Sequence, residues 1–594
     1  MIKVSDYVSA FLVARGIEDI FLVSGGGIMH LLESVGRQEG LRYWCNYHEQ
    51  ACAAAAEAWA KLHRRPCAVL VTVGPGGLNA LSGAAGAWVD SVPMLVFTGQ
   101  VRRDLMADYG LQRQKGPQEG DLVGLAGHLT KYAVTVREPD RIRYELEKAW
   151  YLATSGRPGP VLIDLPLDVQ GALVDEDALA PFAPAPEAAP ALEEAVRTAA
   201  AWIRASRRPV LMAGNGVGWA RAGDALLDLL AATRIPAITT HTAKDLLWED
   251  HPQNLGCFGP LGQRRANFTL QNADLLLSVG SGLCVAKSGF NVAGFSPGSR
   301  KILVDIDPGQ LHHQPIAADL AVQADAGDFL RALGRALDAY EPPRPWLEAC
   351  AQWKARYPTL EAEHLAPSDH VNTYRLLDRL SDHMDGKDTV VTGNGMDVVS
   401  YIQSFRITRG QRALQNGNWG AMGWDLPLAV GAAVARPGHR VVLVTGDGSF
   451  QWNIQELLTL GSHRLPVCIF VLNNQGYSSI RATQNTYFGG HFVGAEAGSG
   501  VANPDFRLLA GAYGLAYDRI DPAADLDAEL ERVLAGPMPR LCEVPVAPDQ
   551  PISPKASSAR RADGTMESRP LEDMFPFLPR EEIQANMIGL RGGA

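Results

Sequence analysis

The sequence has no CxxC pair, and its eight cysteines (positions 45, 52, 67, 257, 284, 350, 468 and 542) are scattered. That pattern speaks against a zinc ribbon and a disulfide scaffold, and points to a reducing cytoplasm. No apolar run approaches the roughly 20 residues that a membrane helix needs. The first residues, MIKVSDYVSAFLVARGI, interrupt their apolar positions with Asp6 and Arg15. They fit an amphipathic helix better than a signal peptide. Positive charge is not in excess: the net charge is −11, which disfavours nucleic acid and anionic membranes as partners. No repeat of fixed period is present, so a solenoid or propeller is not expected.

What is there is an ordinary globular composition, 46% apolar and 20% charged over 594 residues. At roughly 100–200 residues per domain this suggests about three or four domains. Short apolar runs alternate with helical patterns. IFLV at 20–23, CAVLVT at 67–72, MLVFT at 94–98 and VLID at 161–164 form one series. PVLMA at 209–213, AITT at 237–240, LLLSV at 275–279 and KILVD at 301–305 form a second. TVVT at 389–392, VVLVT at 441–445 and VCIFVL at 467–472 form a third. Such alternation predicts an α/β fold of three doubly wound parallel-sheet domains. The stretch APFAPAPEAAPA (180–191) reads as a linker, residues 340–345 as a second break, and the last forty or so residues as an irregular tail.

One stretch carries chemistry: VTGDGSFQWNIQELLTLGSHRLPVCIFVLNN, residues 444–474. In a parallel sheet, ligands gather at the carboxyl ends of strands. If the two strands are neighbours, Asp447 and Asn474 converge there. A carboxylate and an amide oxygen are hard ligands suited to Mg²⁺, which commonly takes one or two protein groups plus phosphate oxygens. The glycines allow close backbone approach, and a helix start offers N–H groups to an anion. A metal-bridged diphosphate follows as an expectation. Taken singly, GDG and NN are also ordinary turn signals.

The spacing, 27 positions with a helix between, resembles the motif of the thiamine-diphosphate (ThDP) enzymes. That resemblance implies a Mg²⁺ held by Asp447, Asn474 and the carbonyl of Gly476. The N-terminal third adds SGGGIM, HEQACAAAAEAWAK, VTVGPGGLNALSGAAGAWVDSVPMLVFTGQ, QEGD and GRPGPVLIDLPLDVQ. These resemble the acetolactate synthase group, as do NLGCFGPLGQRRAN, ADLLLSVGSG and DIDPGQL in the middle of the chain and NWGAMGWDLPLAVGAAVA near its end. The likeness spans roughly residues 1–550. It implies a pyrimidine-binding domain at 1–180, a central domain at 192–340 with a possible FAD site, and a diphosphate-binding domain at 365–550, followed by a tail at 551–594.

The resemblance also assigns roles. Glu49 becomes the carboxylate against the aminopyrimidine ring, which lets the cofactor's own amine deprotonate the thiazolium carbon. Met422 becomes the wedge under the cofactor, and the carbonyl of Gly420 the acceptor for its amine. Gly26, Pro75, Asn79, Gly446, Gly448, Ser449, Tyr477 and Ile480 become further cofactor contacts, and Gln118 part of the donor machinery. His30, where synthases often have proline, either faces the acceptor as a catalytic hydrogen-bond donor or sits at a helix start with a local bond. A homodimer is the implied minimum and a homotetramer the usual assembly, because the acid and the diphosphate site meet across subunits.

Departures from the pattern bear on substrate. Synthases carry an arginine-bearing G-x-RFDDR segment whose last arginine grips the second keto-acid's carboxylate. Residues 280–286, GSGLCVA, hold no arginine. Thr483 stands where synthases place a tryptophan. The pattern is similar to carboligases that build two-carbon branches on deoxysugars, as in yersiniose biosynthesis. It implies pyruvate as donor and a nucleotide-linked 4-keto-deoxysugar as acceptor, giving a tertiary alcohol. Acetolactate formation from two pyruvates and a C–C hydrolase activity are the alternatives. Arg481 and Gln484 are candidates for lining the acceptor pocket, GNGVGWA (214–220) for approaching FAD, and SSARRADG (557–564) for covering a nucleotide diphosphate. A non-catalytic assembly subunit is disfavoured by the presence of Glu49, Asp447 and Asn474 together.

Overall fold

A computed structural model of the chain describes residues 1–185, 192–560, 563 and 565–588. The second half of the expected linker and the centre of SSARRADG lie outside the described residues. Three six-stranded sheets are present, and every pairing within them is parallel. The first contains β1 (Asp19–Leu22), β2 (Arg42–Cys45), β3 (Cys67–Val71), β4 (Met94–Gln100), β5 (Tyr132–Thr135) and β6 (Pro160–Pro166). The second contains β7 (Pro209–Ala213), β8 (Ala237–Thr239), β9 (Asn254–Cys257), β10 (Leu275–Val279), β11 (Arg300–Asp305) and β12 (Leu320–Gln323). The third contains β13 (Thr389–Thr392), β14 (Arg412–Leu414), β15 (Val441–Gly446), β16 (Val467–Asn473), β17 (Ala516–Arg519) and β18 (Arg540–Pro545).

The inner strands β3, β4 and β6 are buried along their whole length. That is why they read as continuous apolar runs rather than as alternations. The first and third sheets share one strand order, β2-β1-β3-β4-β6-β5 and β14-β13-β15-β16-β18-β17. The middle sheet differs, running β9-β8-β7-β10-β11-β12. Its order reverses between β7 and β10, the switch point where doubly wound sheets bind dinucleotides.

The helix Glu49–His63 joins the first domain to the third. Alanine, the best helix former, fills seven of its fifteen positions. His48 caps it: its Nδ1 accepts from the Gln50 amide at 3.1 Å. This helix lies against Asp425–Ala435, all of whose residues are buried. A methyl group on Gly431 would stand 2.0 Å from the Ala55 carbonyl oxygen, so the two backbones touch.

The tail is not irregular. Ser558–Arg560 and Met566–Ser568 form an antiparallel hairpin, and Arg580–Asn586 is a helix. Leu571, Ile583 and Met587 enter a core with Trp346, Trp353 and Phe268 of the central region. Trp353 Nε1 donates to Asn586 Oδ1 at 3.0 Å, and Tyr357 donates to Glu582 Oε1 at 2.6 Å. The apolar anchors are spaced singly among Pro, Arg and Glu, so no periodicity announces them.

Candidate functional site

β15 and β16 are neighbours, with Gly446 opposite Leu472. Asp447 and Asn474 therefore leave adjacent strand ends, as the spacing predicts. Asp447 is buried, and its carboxylate is held by three donors. The Gly448 amide reaches Oδ1 at 2.7 Å, and the Gly476 amide and Asn503 Nδ2 reach Oδ2 at 3.0 and 2.6 Å. Burial raises the Asp447 pKa, and these donors oppose the rise.

The two asparagines differ in their partners. Asn473 donates to Glu543 at 2.8 Å and accepts from the Gln475 amide and from Asn503, both at 3.2 Å. Asn474 Oδ1 is buried and has no partner. An orphaned amide oxygen near a pre-oriented carboxylate fits a hard divalent cation. Among the described residues, no group of three or more His, Cys, Asp or Glu could hold a metal. Two such oxygens would leave the remaining positions around a cation to phosphate and water.

Gly476, at φ +128°, turns the chain here; a Cβ on it would lie 2.3 Å from the Ala495 carbonyl oxygen. A Cβ on Gly448 would lie 2.2 Å from the ring of Tyr477. Ser449 is engaged: it donates to Asp425 at 3.1 Å and accepts from the Gly423 amide at 2.9 Å. Ile480 is 43% exposed on the helix Ser478–Phe488.

Glu49 is the first residue of its helix and is partly buried. Asn79 Nδ2 donates to its Oε2 at 3.0 Å, and a Cβ on Gly76 would stand 3.3 Å from its Oε1. Asn79 and Gly76 belong to the helix Pro75–Val89. Thr72 joins that helix start to the glycine turn at Gly26: its Oγ1 accepts from the Gly27 amide at 3.3 Å, and it packs beneath Gly76. Gly74, at φ +58°, meets the carbonyl of Gln118, itself at φ +61° and exposed. Glu49 and Asn79 are thus linked to Thr72 through Gly76, and Gln118 to Gly74, with Gly26 and Pro75 next in sequence to these contacts. His30 Nε2 faces Gly171, where a Cβ would lie 2.9 Å from it.

Two acids unremarked in the sequence hold this region. Glu119 accepts from the amides of Ala107 and Gly116 and from the Tyr109 hydroxyl, and also from the Lys115 amide. Burial alone would raise its pKa, yet these donors hold it below the usual range. Glu456 accepts from Asn46 Nδ2 at 2.8 Å and the Tyr47 amide at 3.0 Å, while Asn453 donates to Gln50 at 3.2 Å. These bonds join the approach to Glu49 to the segment after Asp447. Nothing in motif spacing marks Glu456 or Asn503, whose partners here lie distant in sequence, or Glu119, whose partners are mostly backbone amides.

Three stretches match family descriptions: "Thiamine pyrophosphate enzyme, N-terminal TPP binding domain" over residues 2–124, the central domain over 196–333, and the C-terminal TPP binding domain over 393–544. Relatives include the acetolactate synthase isozyme 2 large subunit of Escherichia coli, 33% identical over 90% of this chain and 94% of that protein. The isozyme 1 large subunit of the same organism is 30% identical over 93% of this chain and 95% of its own length. A probable acetolactate synthase large subunit of Methanocaldococcus jannaschii is 31% identical over 91% of each. The chain belongs to the thiamine pyrophosphate enzymes. Within them it falls in the acetolactate synthase-like group.

Around this ThDP enzyme's candidate centre, one acceptor assignment needs correction. Arg481 does not line a pocket. It is buried, and its guanidinium donates to the carbonyls of Asn474 (2.8 Å), Pro548 (2.7 Å), Gln475 (3.2 Å) and Ala495 (3.3 Å). It braces the loop that carries Asn474. Gln484 exchanges two hydrogen bonds with the Val493 backbone, at 3.0 and 3.1 Å. Thr483 is exposed and donates to the Ser479 carbonyl at 2.9 Å. In the arginine-free stretch, the cation that follows, Lys287, is buried and donates to the Gly282 carbonyl at 3.1 Å.

A cavity of about 510 Å³ opens at the switch point of the middle sheet of this ThDP enzyme. Asn215, Gly216, Gly280, Lys287, Asp305 and Arg157 line it, with Asp90 and Asn418 from the flanking domains. The helix Asn215–Trp219 begins at this crevice, directly after Gly214. A Cβ on Gly214 would lie 2.2 Å from the Gly280 carbonyl oxygen, so both turns must remain glycine. Volume, topology and glycine turns fit a dinucleotide. No helix among the described residues is long and apolar enough to cross a membrane.

Proposed function

We propose that this chain decarboxylates pyruvate and ligates the two-carbon unit to a carbonyl acceptor. The observation that carries the reading is the orphaned Asn474 Oδ1 beside the pre-oriented Asp447 carboxylate, in a chain that also presents Glu49. Asp447, Asn474 and the Gly476 carbonyl would hold Mg²⁺. Gly446, Gly448 and Ser449 would meet the diphosphate, with Tyr477 and Ile480 alongside. Gly26, Pro75 and Asn79 would border the pyrimidine, Gly420 would accept from its amine, and Met422 would support the bend. Bound ThDP supplies a carbon centre that stabilises the negative charge left by decarboxylation. Glu49 would hold a proton at the pyrimidine nitrogen, with Asn79 fixing its carboxylate. Gln118 and His30 would act on the substrate side.

The crevice at Gly214 and Gly280 would take FAD as a resident group. A homodimer is the proposed minimum unit and a homotetramer the proposed assembly, in the cytoplasm, where eight free cysteines are at ease. The proposed domains are 1–180, 192–340 and 365–550, with 551–594 as a docked tail.

For the acceptor, the names of the relatives favour acetolactate formation from two pyruvates. A second reading rests on residues 280–286 and Thr483: without the arginine and the tryptophan, a larger ketone that bears no carboxylate at that point, such as a nucleotide-linked 4-keto-deoxysugar, is favoured. Mass spectrometry of products from pyruvate, ThDP and Mg²⁺, with and without added ketones, separates these. Acetolactate alone supports the first reading and a branched sugar product the second. No carbon dioxide release from pyruvate would sink both.

A further inference from the structure

The loop at residues 415–424 has almost no regular structure. It contains Gly420 and Met422; Asn394, Ser449 and Asn453 of the third domain hold Ala421 and Gly423, and a buried charge cluster on the first domain holds Gln415, Asn416, Asn418 and Trp424. Glu57 and Lys61, one turn apart on the helix Glu49–His63, and Asp90, just after Pro75–Val89, are 0%, 6% and 5% exposed. Lys61 Nζ donates to Glu57 at 2.5 Å, to Asp90 at 2.8 Å and to the Gln415 carbonyl at 2.8 Å. The remaining acceptors are taken by the loop itself. Asn416 Nδ2 reaches both oxygens of Glu57 at 3.2 and 3.3 Å, and Trp424 Nε1 reaches Oε2 at 3.0 Å. Asn418 gives Asp90 both its amide (3.1 Å) and its side chain (2.8 Å).

Two carboxylates and one ammonium leave one negative charge inside the protein, and the loop supplies the donors that satisfy it. Buried ion clusters are weak stabilisers, because desolvation offsets their attraction, and an apolar substitute can be as stable. Their directional bonds do fix geometry. We infer that Glu57, Lys61 and Asp90 are positioning residues that set the 415–424 loop, and through it Met422, against the cofactor. This rests on the reading that Met422 touches ThDP.

The test measures ThDP affinity by calorimetry and kcat with pyruvate for four variants of the full chain. Trp424→Phe and Asn418→Ala each remove loop donors without removing a buried charge. Both are expected to weaken ThDP binding about tenfold and lower kcat, with the KM for pyruvate unchanged. Met422→Ala tests the underlying reading. Trp59→Phe, which removes a bond to Asp19 elsewhere on the same helix, controls for plain destabilisation and is expected to lower the melting temperature with ThDP affinity unchanged. If Met422→Ala weakens ThDP binding while Trp424→Phe and Asn418→Ala stay within twofold of wild type, the positioning role is overturned and the cofactor reading stands. If Met422→Ala has no effect, both fall. If Trp59→Phe weakens ThDP binding as much as the loop variants do, the effect is one of stability and the inference falls.

Discussion

The first and third sheets have the same strand order, yet they carry chemistry at different strands. In the third, adjacent inner strands β15 and β16 deliver Asp447 and Asn474 at their carboxyl ends. In the first, the corresponding strands β3 and β4 end in uncharged residues, TVG at 72–74 and GQ at 99–100. Its acid, Glu49, comes instead after the edge strand β2. One topology thus offers several carboxyl-end positions, and side-chain choice decides which is used. The inner position suits a cation held by two ligands from neighbouring strands. The edge position suits a single acid presented by the start of a helix.

The sharpest way to break this comparison is Glu49→Gln. It is expected to keep the fold and lower kcat by about 10²–10⁴-fold; near-normal turnover in a pyruvate assay would remove Glu49 from its role. Asp447→Ala should weaken Mg²⁺-dependent ThDP binding by about 100-fold or more, read by calorimetric titration. Unchanged affinity would mean that the inner strand ends are only turns. Arg481→Met, which strips the brace from the Asn474 loop, should cost about tenfold in Mg²⁺ affinity with the melting temperature nearly held. A loss of fold instead would make Arg481 a general structural residue.

The smallest expected effect concerns His241, which supports the 415–424 loop by packing against Gly417. Burial, and next the Lys287 charge, push its pKa down to about 4. The unfolded chain takes up a proton near pH 6.5, where the folded state stays neutral. The stability present above that pH is therefore lost as pH falls towards 4, by at most about 3 kcal/mol. His241→Gln should flatten that acid-side slope in thermal melts; an identical slope would exclude His241 as its source.

Much of the fold was legible because buried parallel strands are continuous apolar runs and glycine-rich turns mark their ends. The placing of Asp447 and Asn474 at neighbouring strand ends was legible because their spacing spans one crossover. The tail was not, since Leu571, Ile583 and Met587 reach the core one at a time from a polar background. The role of Arg481 was also hidden: its partners are backbone carbonyls, and backbone acceptors leave no trace in side-chain patterns. Glu119 and Glu456 likewise look like any surface acid until their partners are seen.

The seam where Gly431 meets Ala55 has a mechanical meaning. Both helices begin beside residues assigned to the cofactor, Glu49 on one and the 415–424 loop on the other. With backbone against backbone there is no compressible layer between them. The seam works as a gauge block, its thickness set by hydrogen and methyl. A single added carbon at residue 431 would shift the helix Asp425–Ala435, and the loop before it, against the first domain as a rigid offset. Engineering of this scaffold should therefore leave the alanines and this glycine alone and seek new acceptors at Thr483 and at residues 283–286, where the calibration is not involved.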